Sequence, residues 1–355
     1  MTRFFSTKYS SLKAYVPGEQ PKDIKYVKLN TNESPFPPSP SVIEAVSAEA
    51  ARLNLYSDPE CTPLVKKFAE LYEVEEDMVI MTNGSDEVLN FAFMAFSDES
   101  HPIAFPDITY GFYPVFANLS GIPYREIPLA EDFSVRVEDY VGRGENIVIA
   151  NPNAPTGLAL SLSDIEKIVK SNPDNVVIID EAYVDFGAES AIPLVKKYDN
   201  LLVTGTFSKS RSLAGARLGF GIASAPIIRD LNTIKYSTNP YNVNRMTMAA
   251  GYRALCDNDY YLDNCKTVIE NREYTREALT ALGFSVIPSK ANFLFAESPD
   301  ISGEELYLEL KARGVLVRHF NKERIKNFNR ITIGTRAEMD IFLRETEKIL
   351  KEKRK

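Results

Sequence analysis

At 355 residues the chain is too long for one ordinary hydrophobic core, and two domains are expected. Apolar residues make up 44% and charged residues 25%, a globular composition that argues against disorder. The net charge of −8 argues against a nucleic-acid partner, and no apolar run approaches the ~18 residues of a membrane span.

In chain order, the segment T-N-E-S-P-F-P-P-S-P (31–40) carries four prolines and cannot be regular structure, which predicts an extended N-terminal arm. Ser39 is placed to cap, and Pro40 to open, a helix running to about Leu53. Thr62-Pro63 repeats that start signal, and Leu64, Phe68, Leu71 and Tyr72 then share one helical face. Ile103–Phe105, Ile147–Ala150, Val176–Ile179 and Leu201–Val203 are unbroken apolar runs, as expected of parallel strands covered on both faces. Between the second and third, S-L-S-D-I-E-K-I-V-K has helical spacing. Strands alternating with helices predict a large, doubly wound α/β domain with a mostly parallel sheet.

Beyond about Tyr241, long helical stretches lead into strand-like runs at Phe284–Ile287 and Asn292–Phe295. A helix at Gly303–Arg313, strands at Val315–Arg318 and Arg330–Ile333, and a last helix predict a smaller α+β domain. The basic run K-E-K-R-K ends that helix, where its dipole favours cations. The expected division is an arm over 1–40 that contributes to the small domain and the substrate site, a large domain over 41–240 and a small one over 241–355.

Ligands of doubly wound sheets bind beyond the carboxyl ends of the strands. Asp180 follows Val177-Ile178-Ile179, and Lys209 follows Leu201–Val203 after a short turn, so both are site candidates. Lysine is rarely buried without a partner, yet Lys209 ends a core strand with Arg211 and Arg217 close behind. G-S-D-E (84–87) opens an apolar helix, a start suited to an anion. A lysine, a carboxylate and such a helix start are what a pyridoxal phosphate site requires. The amine condenses with the aldehyde, the carboxylate keeps the pyridine nitrogen protonated, and the helix start holds the phosphate. Thr206, Ser208 and Arg217 would add donors to that phosphate, Arg217 as an always-charged bidentate clamp. Released by a substrate, Lys209 becomes a neutral amine able to move the Cα proton.

His101 and His319 are the only histidines, and neither sits in an H-E-x-x-H or G-x-S-x-G context, which argues against metal and triad chemistry. Cys61, Cys256 and Cys265 form no C-x-x-C pair, and no signal-peptide core opens the chain, so a reducing, cytoplasmic location is expected.

S-K-x(7)-R, D-E-A-Y, N-P-x-x-P-T-G and G-S-D-E together resemble the fold type I pyridoxal-phosphate aminotransferases. L-K-A-Y-V-P-G (12–18), L-N-T-N-E-S-P (29–35) and V-R-H-F with N-R-I-T-I-G-T-R (317–336) are similar to the histidinol-phosphate aminotransferase subgroup. The resemblance spans most of the chain and implies an aspartate-aminotransferase-like fold. It implies that Lys209, Asp180 and Tyr183 are catalytic, with Tyr183 bonding the cofactor 3′-oxygen. By the same resemblance Tyr110 stacks on the pyridine ring, and Ser85 and Asp86 receive the phosphate mainly through backbone N–H groups. Tyr56 matches a tyrosine that reaches the partner subunit's phosphate site, which implies a homodimer. Tyr15, Asn32 and Glu33 match substrate-proximal positions, and Arg318 and Arg330 the pair that holds the substrate's anionic groups. Where the family places an asparagine near the 3′-oxygen this chain has Ala154, leaving Tyr183, Asn153 or a water to make the contact. Leu55-Tyr56-Ser57 also departs from the family's R-Y-P.

The implied reaction exchanges an amino group between glutamate and imidazole-acetol phosphate. Threonine-phosphate decarboxylase and aromatic amino-acid aminotransferase share the fold and remain alternatives, since reaction choice depends on which Cα bond stands perpendicular to the ring; Arg318 weighs against the aromatic one. A non-catalytic regulator that keeps the cofactor site is more remote, because such proteins append a DNA-binding domain and this acidic chain begins almost directly with its arm. A nicotinamide dehydrogenase fails for want of G-x-G-x-x-G around G-F-G (219–221).

Overall fold

The computed structural model describes residues 2–10, 12 and 14–354; Lys13 of the first N-terminal motif and the last lysine of the basic run lie outside them. The arm is irregular apart from a helical turn at Thr7–Tyr9 and a short strand, β1 (Val27–Lys28). The first long helix is Pro40–Ala50, ending short of Leu53. Ser39 precedes it but does not cap it, because its hydroxyl donates to Asp257 Oδ2 at 2.5 Å. In the next helix, Thr62–Tyr72, Thr62 is already helical and the cap position falls on Cys61. The Thr62 N–H is taken instead by the Asp58 carboxylate at 2.8 Å.

Seven strands form the large sheet: β2 (Val79–Thr82), β3 (Ile103–Pro106), β4 (Tyr124–Ile127), β5 (Asn146–Ala150), β6 (Val177–Asp180), β7 (Leu201–Thr206) and β8 (Gly219–Ala223). Their spatial order is β2-β8-β7-β6-β5-β3-β4. β8 is antiparallel to both its neighbours, and every other pair is parallel. The four predicted apolar runs are β3, β5, β6 and β7. Their unbroken hydrophobicity has a cause: Ile147, Ile149, Val177, Ile179, Leu201 and Val203 pack against helices Thr62–Tyr72 and Leu162–Ser171. Val148, Ile178 and Leu202 pack on the opposite face with helices Ser85–Phe96 and Ala225–Thr238.

The second sheet is antiparallel, in the order β12-β13-β10-β9, from β9 (Ser285–Ile287), β10 (Phe293–Glu297), β12 (Arg318–His319) and β13 (Asn329–Thr332). The predicted strand Val315–Arg318 divides: β11 (Val315–Leu316) leaves this sheet and pairs in parallel with β1. Leu29, just after β1, hydrogen-bonds Leu316 on one side and Thr332 on the other, so the arm is laced between β11 and β13. Helices Asn258–Ala281, Gly303–Ala312 and Arg336–Lys353 cover this unit, the last opened by a Thr335–Glu338 capping box. Among the described residues no helix is long and apolar enough to cross a membrane.

Candidate active site

The parallel strands end along one edge of the large sheet, and the loops leaving those ends carry the predicted residues. Asp180 is the last residue of β6 and only 4% exposed. Its Oδ2 accepts the Tyr113 hydroxyl at 2.8 Å, and its Oδ1 accepts the Ala182 N–H at 3.3 Å. Burial pushes its carboxyl up to about 6, with the Tyr113 hydrogen bond pulling the other way. Lys209 lies in the loop after β7; its Nζ donates to the Thr31 carbonyl at 3.2 Å and sits 5.9 Å from the centre of the Tyr183 ring.

Tyr183 is steadied from the arm, its hydroxyl accepting from Asn32 Nδ2 at 3.0 Å. Asn32 has a left-handed backbone (φ 55°) and is locked by three further bonds. Its N–H donates to Thr332 Oγ1 at 3.0 Å, the Thr332 hydroxyl donates to its Oδ1 at 2.9 Å, and Asn292 Nδ2 donates to its carbonyl at 3.0 Å.

An anion cradle lies at the start of the helix Ser85–Phe96. Gly84 before it has φ 79°, and a Cβ there would stand 2.6 Å from Arg217 Nη2, so glycine lets the guanidinium lie against the helix start. A Cβ on Gly219 of β8 would come within 2.3 Å of Gly84 and Ser85 backbone atoms. The helix start therefore rests on the one reversed strand. Arg217 Nη2 is 3.3 Å from Asp86 Oδ2, and Asp86 Oδ1 accepts the Tyr110 hydroxyl at 2.7 Å. Burial, with Asp86 alongside, raises the Tyr110 phenol far above its usual range. Thr206 donates to Ser208 Oγ at 2.9 Å, and both line the same cavity of about 390 Å³. A buried carboxylate at one end, an amine and a phenol at the side and an Arg-lined helix start at the other would fit a flat nitrogen heterocycle bearing a phosphate.

A second cavity of about 530 Å³ extends from Lys209 toward the small sheet. Arg318 and Arg330 line it from directly opposite positions on β12 and β13, an unfavourable pairing unless an anion joins them. Their guanidiniums sit 5.7 and 5.8 Å from the Phe320 ring centre. Arg330 Nη2 donates to the Asn30 carbonyl at 2.9 Å, but its buried Nε has no partner among the described residues. Burial, with the Arg318 charge beside it, lowers its pKa below the usual arginine value. Tyr15, packed 4.7 Å from Phe112, lines the same cavity.

The family model described as aminotransferase class I and II matches residues 24–345. A histidinol-phosphate aminotransferase from Brachyspira hyodysenteriae is 51% identical over 353 residues, covering 99% of this chain and 100% of its own. One from Marinomonas sp. is 51% identical over 343 residues, covering 96% and 97%. The chain belongs to the class I and II aminotransferases, in the histidinol-phosphate group. Among solved structures, histidinol-phosphate aminotransferase from Sinorhizobium meliloti in complex with pyridoxal-5′-phosphate shares the fold, with a TM-score of 0.89 at 22% identity and 99% of both chains covered.

In this aminotransferase, Lys209, Asp180, Tyr183, Ser85, Asp86, Tyr110, Thr206, Ser208 and Arg217 converge on the smaller cavity, and Tyr15, Asn32, Arg318 and Arg330 on the larger. Asn153 does not join them. Its carbonyl oxygen accepts the Thr109 hydroxyl at 2.7 Å and its amide donates to Ile108 O and Thr156 Oγ1 at 2.9 and 3.2 Å, so the side chain is committed to its own loop. Ala154 lines both cavities in its place. Glu33 faces the smaller cavity rather than the substrate one. Burial opposes its charge, but hydrogen bonds from Lys28 and Thr31, at 2.8 and 2.7 Å, hold its carboxyl below the ordinary range. Tyr56 lies outside both cavities, 80% exposed and stacked on Tyr241 at 4.7 Å.

Two contributors went unread in the sequence. Thr31 acts through its carbonyl, which leaves no side-chain signal. Tyr113 sits among Phe112, Phe116 and Ala117, a pattern that reads as core; only its hydroxyl set it apart.

Proposed function

We propose that this aminotransferase moves an amino group between histidinol phosphate and 2-oxoglutarate, giving imidazole-acetol phosphate and glutamate, in histidine biosynthesis. The observation that carries this reading is the Arg318–Arg330 pair: two arginines on adjacent strands line one cavity with Lys209, one of them with an unpartnered buried donor. A phosphate or a side-chain carboxylate supplies the oxygens that such a pair binds bidentately, so one site serves both substrates in turn.

Pyridoxal 5′-phosphate, when bound, supplies an electron sink for the pair left at the substrate Cα. Lys209 would hold it by the amine, Asp180 at the ring nitrogen, Tyr183 at the 3′-oxygen, and Arg217, Thr206, Ser208 and the N–H groups of Ser85 and Asp86 at the phosphate. Lys209, once free, would take the Cα proton of the amino donor at Nζ and, in the reverse half-reaction, deliver a proton to the Cα of the acceptor. Tyr183, braced by Asn32, orients its phenol, and Tyr15 lines the substrate end of the cavity.

In the same reading residues 1–40 form the arm, 41–240 the cofactor-binding domain and 241–355 the small domain. The exposed Tyr56–Tyr241 stack supports a homodimer in which Tyr56 reaches the partner's phosphate cradle, and a cytoplasmic location accords with three free cysteines.

A paired assay on the cofactor-loaded protein tests the reaction. Histidinol phosphate with 2-oxoglutarate is expected to yield glutamate, and threonine phosphate to release no carbon dioxide. Gas from the second with no glutamate from the first would make the protein a decarboxylase on the same scaffold.

A further inference from the structure

We infer that Tyr113 is a positioning residue for Asp180: its hydroxyl holds that carboxylate charged and aimed, leaving its remaining lone pairs for the cofactor's ring nitrogen. The inference rests on the proposed placement of pyridoxal phosphate against Asp180.

Tyr113 opens the helix Tyr113–Ser120 and is completely buried. Its ring packs with Phe105 at 5.8 Å, Phe93 at 6.5 Å and Tyr110, edge-on, at 5.5 Å. Phenylalanine would serve that packing without the cost of burying a hydroxyl. The hydroxyl makes one hydrogen bond among the described residues, to Asp180 Oδ2 at 2.8 Å. Burial and the Asp180 charge keep the phenol protonated well beyond its ordinary range, so it is a permanent donor and never competes for the carboxyl proton.

What surrounds Asp180 makes this donor matter. Burial opposes its charge most, followed by Asp86; the influences favouring the charge are the Tyr113 hydroxyl first, then the Ala182 N–H. None of these leading influences is a cation, and Glu181, Tyr110 and Tyr183 nearby supply no positive charge either. Lys209 and Arg217 share the cavity with Asp180, but among the described residues their hydrogen bonds go to Thr31, Ala214 and Asp86. The Tyr113 hydrogen bond is therefore the leading influence that keeps Asp180 a weak enough base to leave a proton on the ring nitrogen. Without the Tyr113 hydroxyl, Asp180 becomes the stronger base and draws that proton back, and the ring loses electron-withdrawing power while substrate binding is untouched.

The test is Tyr113→Phe in the cofactor-loaded enzyme. Losing a hydrogen bond to a charged group predicts a kcat lower by about 10-fold, with KM for both substrates within about 2-fold. The pH midpoint of the bound cofactor's visible absorption, read without substrate, is expected to rise by roughly half a unit to one unit. A cycle with Asp180→Asn separates positioning from packing: in that background Tyr113→Phe is expected to move the midpoint by less than about 0.2 unit, because there is no carboxylate left to hold. Equal effects in both backgrounds, or a Tyr113→Phe enzyme with wild-type kcat and midpoint, overturn the inference. A wild-type protein that shows no such absorption band, and no cofactor on Lys209 after borohydride reduction, overturns the proposed function instead.

Discussion

Asp180, Lys209 and Arg217 are carried by β6, β7 and the turn into β8, in a sheet packed on both faces, whereas Thr31, Asn32 and Glu33 lie across from them in an irregular arm. The first wall is placed by strand ladders and two layers of helices. The second is placed by the short backbone lacing of residues 27–29 to β11 and β13 and by individual side-chain bonds from Thr332, Asn292 and Tyr183 on Asn32. Each such bond contributes on the order of 1 kcal/mol, so the arm is held by a few separable contacts and the sheet by many cooperative ones. The groups assigned to the chemistry hang from the rigid wall. Those assigned to the choice of substrate sit on the arm and on β12 and β13, where one change alters one contact.

Breaking the rigid wall at its reacting group should have the largest effect. Lys209→Ala is expected to lower turnover by at least about 10³-fold while leaving the melting temperature within a few degrees, measured by glutamate formation and calorimetry. Substantial remaining activity would remove Lys209 from the chemistry. On the other wall, Arg318→Ala is expected to lower kcat/KM for the phosphorylated substrate by about 100-fold and for glutamate by about 5-fold. Equal losses on the two would show that Arg318 grips a group common to both substrates, or merely supports β12.

The smallest effect sharpens the comparison without touching either substrate. Glu181 is buried behind Asp180, accepting the Ala191 N–H at 2.5 Å and the Ser190 hydroxyl at 2.6 Å. Burial pushes its carboxyl up to about 8. An unfolded glutamate ionises near 4.3. The folded state thus binds more protons between those values, and this contribution to stability, complete below about pH 4, is lost as pH rises toward 8. The wild-type melting temperature should therefore decline from pH 5 to 8, and Glu181→Gln should flatten that decline by about 2–4 °C. Parallel melting curves for the two proteins would show that Glu181 is ionised throughout.

The same contrast governs what could be read in advance. β3, β5, β6 and β7 were legible because burial on both faces demands unbroken apolar runs. β8 was not, since G-F-G-I-A reads as a loop, and β4 is mostly exposed at the sheet edge. Lys209 and Asp180 stood out as charges at the ends of apolar runs, where burial requires a reason, and Arg217 as added positive charge close behind Lys209. Asn153 misled because an amide that locks a loop and one that binds a ligand look alike in sequence. The contacts across the arm, such as Asn32 to Tyr183, join residues far apart in the chain and depend on a left-handed turn that local patterning does not announce.

The reversal of β8 bears on how this chain can change over generations. Because Gly219 lies against the backbone of Gly84 and Ser85, a single methyl group there would lift the helix start off the sheet. The exposed positions of that helix can drift one at a time, each tested on its own. Position 219 cannot, for any larger residue must arrive together with a shift of a whole helix. The cradle is thus held in place during descent by a residue that contributes no side chain to it.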